Sequence, residues 1–204
     1  MKHLRLLVFI VFFLGGGVTL YLGVEYHLPP LTGLGMAGFS GGLIFLGAET
    51  IIKRKSVESD TDTGHVATYR GCSAVLSGIL WVVLGIILGV LAVPVALGMH
   101  EALFGWLAVH PGLALLAFGL AAVAYGGHTL LGSEEQKASV WAFLGSLPAR
   151  VFALVILLIG LALLAAGALE IVFPVLFDGL MAAVQAWWHD LQCQMAPYLC
   201  EGGG

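Results

Sequence analysis

Three ionisable side chains stand inside otherwise apolar stretches: Glu49, His128 and Glu170. A carboxylate or imidazole in such a setting is costly unless paired or hydrated, which makes each a functional candidate. When the chain is slid by 79 residues, Glu49-Thr50 falls on His128-Thr129. A Glu–His couple could relay protons, and Glu49 alone could bind a cation. The simpler expectation is structural. Lys53 follows Glu49 by four residues, the spacing of a helical ion pair. Both acids also lie near the ends of their apolar runs, where a side chain can reach water.

The other chemistry-bearing residues form no site of known spacing. The seven histidines fall at the boundaries of apolar runs or between them. They offer no facing pair for a haem iron. His189, Cys193 and Cys200 match no standard zinc spacing. Cys193 and Cys200 are instead a candidate disulfide, and Cys72 is expected to be a buried, inert thiol. Gly33-Leu-Gly-Met-Ala-Gly38 has the form G-x-G-x-x-G but opens an apolar run after Pro29-Pro30. A dinucleotide motif needs a preceding strand and a watery helix start, so this match carries no cofactor. Nucleophile elbows, Walker loops and zinc-protease motifs are absent from the sequence. The expectation is no catalytic residues, no cofactor, no metal and no enzyme.

The surrounding chain explains why polar groups are so scarce. Of 204 residues, 60% are hydrophobic and 10% charged. An average soluble domain is about 25% charged, so this chain cannot clothe itself in a polar shell. The mean hydropathy is +1.02. These values indicate an integral membrane protein whose immediate partner is the lipid bilayer. A net charge of −4 with eight dispersed basic residues excludes nucleic acid as a partner.

Five runs are long enough to span a bilayer as helices, which takes about 20 residues. They are Leu4–Leu22, Leu31–Ile52, Gly71–Leu97, Gly112–Leu131 and Val151–Val172, the last within a segment 149–173. No small-residue cleavage site follows the first run, so it is read as a span and not a signal peptide. The predicted fold is all-α, a polytopic membrane helix bundle. With the N-terminus in the cytoplasm, all eight Lys and Arg fall on the inner side and none on the outer. The C-terminus is then periplasmic or extracellular, and the membrane is the cell (inner) membrane. Spans two and four align at an offset of 79, one and three at 70, three and five at 75. This suggests two parallel hairpins, 4–52 and 71–131, joined by a cytoplasmic loop 53–70 and followed by a lone fifth span. The loop is expected to be a solvated linker.

Residues 1–174 thus form the bundle and 175–204 an outer element. In the latter Leu176, Leu180, Val184, Trp187 and Trp188 share one helical face, opposite Asp178, Gln185 and His189. That is an amphipathic helix. Trp106 lies in a smaller outer version. Gly38-x3-Gly42 and Gly85-x3-Gly89 have the spacing that lets membrane helices approach closely. These features point to a structural or accessory subunit. It would pack through glycine faces and through Leu180, Val184, Trp187, Trp188 and Trp106 onto a membrane-protein partner or a copy of itself. The alternative is a small oligomeric ion or proton-coupled transporter using Glu49, His128 and Glu170.

Overall fold

The computed structural model describes residues 7–59, 66–134 and 140–195. Of the described residues 88% are helical, the fold is all-α, and among them four helices are long and apolar enough to cross a membrane. A π-helical segment Phe9–Gly15 runs into α1 (Gly16–Glu25). Then come α2 (Pro29–Lys53), strands β1 (Lys55–Ser59) and β2 (Val66–Arg70), and α3 (Cys72–Ala96). The chain continues with α4 (His100–Val109), α5 (Gly112–Leu131), α6 (Val140–Gly145), α7 (Leu147–Val172) and α8 (Pro174–Met195). The four long helices are α2, α3, α5 and α7; Phe9–Glu25, at the place of the expected first span, is a shorter apolar helix.

Helix starts follow from local chemistry. Pro29 opens α2, where a missing N–H costs nothing. Ser146 precedes α7, with Pro148 in its first turn. The expected linker between α2 and α3 is a correction: it contains a two-stranded antiparallel ladder. Arg54 ends α2 in the left-handed conformation, with φ of 49°, and turns the chain into β1. Gly71 has φ of 64°, which only glycine adopts with ease. Its N–H donates to Arg54 O at 3.0 Å and closes the base of the ladder. Val57 pairs with Thr68 and Ser56 with Tyr69, residues suited to a pleated surface.

Small residues make the interior. The buried apolar residues include Ala74, Ala92, Ala121, Ala124 and Ala153, whereas leucines, isoleucines and valines populate the outside of the long helices. A soluble protein would invert this arrangement. In lipid, association between helices comes from close backbone approach. Antiparallel helices α2 and α3 meet where Gly47 faces Gly78 O and Gly85 faces Ser40 O. Ser40 Oγ donates to Gly85 O at 2.7 Å across that interface. Helices α5 and α7 meet where Gly126 faces Ala153 O and Gly160 faces Gly119 O. Gly38 lies on Gly16 of α1, Gly42 against the Phe13 ring, and Gly89 against Ser40 Oγ. All four glycines of the spacing motifs are therefore occupied within the chain. These apolar helices are consistent with an integral, multi-pass membrane protein.

Candidate functional site

Polar groups gather at the two ends of the bundle. At the end that carries the strands, Glu49 pairs with Lys53 one turn later. A cavity of about 520 Å³ opens beside them, lined also by Leu46, Thr50, Ser56 and Trp81. His128 is not among its lining residues. Glu49 and His128, equivalent in the sequence alignment, thus have different surroundings. The Glu49–Lys53 pair is partly exposed, a situation in which an ion pair contributes at most about 1 kcal/mol. Glu49→Gln is accordingly expected to lower thermal stability in detergent only slightly, within that bound. A loss several times larger would show that Glu49 does more than hold Lys53.

His128 stands in the last turn of α5, at the end of its apolar run, and is buried there. The Tyr69 ring of β2 lies 4.2 Å from its ring, centroid to centroid. Nδ1 is 2.9 Å from Ser73 O and 3.1 Å from Ser73 Oγ. A carbonyl can only accept, so Nδ1 carries the proton and donates. Ser73 Oγ in turn donates to His128 O at 3.1 Å. A protonated Nδ1 cannot take the serine proton, so this is no nucleophile–base dyad but a reciprocal clasp between α3 and α5. At the same end of the bundle, Arg70 meets Glu134 at 3.3 Å, and Arg150 Nε donates to Ser146 Oγ at 3.0 Å. Cys72, at the start of α3, is exposed, not buried, because it sits just after the Gly71 turn.

At the far end, Glu170 of α7 tucks over the first turn of α5. Its Oε2 occupies the space a β-carbon on Gly112 would fill. His110 Nδ1 is 3.8 Å from Glu170 Oε1, and the His110 ring is 5.4 Å from the Trp106 ring of α4. Trp106, His110, Leu113, Glu170, Ile171 and Pro174 line a cavity of about 400 Å³. Trp106 is thus a wall of this cavity as well as an exposed aromatic. Sequence reasoning missed the grouping because its members come from four separate elements.

Helix α8 leaves the same end. Phe177 is its buried residue, and the helix packs on α7. Leu180, Val184, Trp187 and Trp188 are all exposed, as are Asp178, Gln185 and His189 opposite them. The two tryptophan rings touch, 6.4 Å apart. Cys193 is disulfide-bonded and lies 3.6 Å from His189 Nδ1. Cys200, its expected partner, lies outside the described residues.

Compared with models of protein families, with curated proteins and with solved structures, the chain matches none.

Proposed function

We propose that this chain is a non-enzymatic structural or accessory subunit that docks on a partner membrane protein through α8. The observation that carries the reading is α8 itself: anchored near Phe177, it extends with Trp187 and Trp188 uncovered. Exposed aromatic pairs are the side chains most often found as interface anchors. The glycine faces are spent on contacts inside the chain, so α8 replaces them as the docking element. The helix bears no Lys or Arg, which speaks against an anionic lipid surface as its target.

The strand-bearing end is cytoplasmic in this reading. Lys53, Arg54, Lys55, Arg70 and Arg150 cluster there, following the positive-inside tendency. Phe9–Glu25 is, in this reading, part of the first of five spans. The helix contacts support a duplicated unit, with boundaries other than the hairpins 4–52 and 71–131. Gly47 faces Gly78 and Val82; Gly126, 79 residues on, faces Ala153 and Leu157, each 75 residues on. Gly85 faces Ser40 and Ile44; Gly160 faces Gly119 and Val123 at the same two offsets. The repeating pairs are then α2–α3 and α5–α7, parallel to each other, with α1 as the extra helix.

The transporter alternative has less support. Glu49 and His128 lie at one end and Glu170 at the other, with glycine, alanine and serine between. The test is replacement of Trp187 and Trp188 together by Ala, with association read by native mass spectrometry of gently extracted membranes. The expected result is loss of the higher-mass species. Two truncated anchors correspond to an affinity loss on the order of a hundredfold or more. Unchanged association would overturn the docking surface.

A further inference from the structure

The cavity beneath Trp106 has a composition that its structural contacts do not explain. Its walls are apolar, yet Glu170 places a carboxylate in it that is 12% exposed. A carboxylate withdrawn from water needs a cation or several donors. Its neighbour His110 stands at 3.8 Å, beyond hydrogen-bonding reach, and carries charge only when protonated. The recess that admits the carboxylate exists because residue 112 is glycine. An indole, an apolar wall and one acid together form the chemistry that holds an alkylated cation. The carboxylate meets the charge, and Trp106 covers the carbon substituents. A small hydrated metal ion is poorly served, since one acid offers too few oxygens.

We propose that this cavity binds an organic ammonium group. The group belongs either to the amine headgroup of a lipid, because the site lies at the end of apolar helices, or to a free amine. This inference is independent of the docking role of α8.

The test uses the full-length chain in a maltoside detergent and isothermal calorimetry. The probes are dihexanoyl phosphatidylethanolamine, dihexanoyl phosphatidylglycerol and ethylammonium chloride. The expected result is preference for an amine probe over the glycerol lipid by about tenfold or more, the scale of a hydrogen bond to a charged group. Glu170→Gln should weaken that binding by a similar factor while retaining size and shape. Trp106→Leu should weaken it severalfold. Gly112→Ala should mimic Glu170→Gln, because its methyl displaces the carboxylate. Circular dichroism establishes that each variant is folded, and Trp106→Leu leaves the Glu170 recess untouched if the other two fail to fold. Binding by the ethanolamine lipid alone assigns a headgroup; binding by ethylammonium alone assigns a free amine. Equal binding of both lipids with none by ethylammonium, or undiminished binding in Glu170→Gln, would overturn the proposal.

Discussion

Replacing Gly47 or Gly126 by Leu is expected to separate the paired helices and abolish recovery of a folded, monodisperse protein from detergent. A β-carbon on Gly47 would lie 2.6 Å from Gly78 O and 2.8 Å from Val82 N. On Gly126 it would lie 2.7 Å from Ala153 O and 2.9 Å from Leu157 N. These obstacles are backbone atoms, which cannot swing aside as a side-chain tip does. Overpacking a close-packed interior costs typically 1–3 kcal/mol. A leucine against backbone on an interface built from close approach should cost about 3 kcal/mol or more. The contrast is Gly105→Ala and Gly179→Ala. Nothing stands within 4 Å of a β-carbon at either position. In a helix this change should be neutral or stabilising by about 0.5–1 kcal/mol. Size-exclusion profiles and thermal melts of the four variants check the prediction. Similar melts for all four would mean that glycine contacts do not hold the bundle together.

His128→Ala is expected to have the second largest effect. The substitution removes the ring donor to Ser73 O, the contact with Ser73 Oγ and the face on which Tyr69 rests. A buried group left without its partner costs about 1–3 kcal/mol. The lost ring contact adds about 0.5–1.5 kcal/mol. A destabilisation of about 1.5–4.5 kcal/mol follows. Protease sensitivity should rise between α2 and α3, where Tyr69 loses its seat. Ser73→Ala should cost less, because it leaves the carbonyl acceptor in place. The double variant should be less harmful than the two single effects added, since both act on one clasp. Strict additivity would contradict the reciprocal geometry.

The sequence made the long helices legible because apolar runs of bilayer length have few other uses. The run read as Gly112–Leu131 has the bounds of α5, and Leu31–Ile52 lies within α2. The strands were hidden. Five-residue strands rich in Lys, Ser, Thr and Glu resemble a solvated linker, and their pairing is seen only once α2 and α3 are antiparallel. Contacts within one helix could be read directly: Glu49 and Lys53 are one turn apart. Contacts between elements could not. Nothing local joins His110 to Glu170, or Ser73 to His128. The glycine spacing announced close helix approach, but it does not encode whether the neighbour is in the same chain.

The most direct measurement of the central claim is photocrosslinking in the native membrane. A benzophenone amino acid is placed in turn at Trp187, Trp188, Val184, Gln185 and His189. Crosslinking from the apolar face of α8 to one protein of defined mass, with little from the Gln185 and His189 positions, is the result predicted for a docking helix. Lipid adducts alone at every position would contradict it and leave α8 as an interfacial anchor.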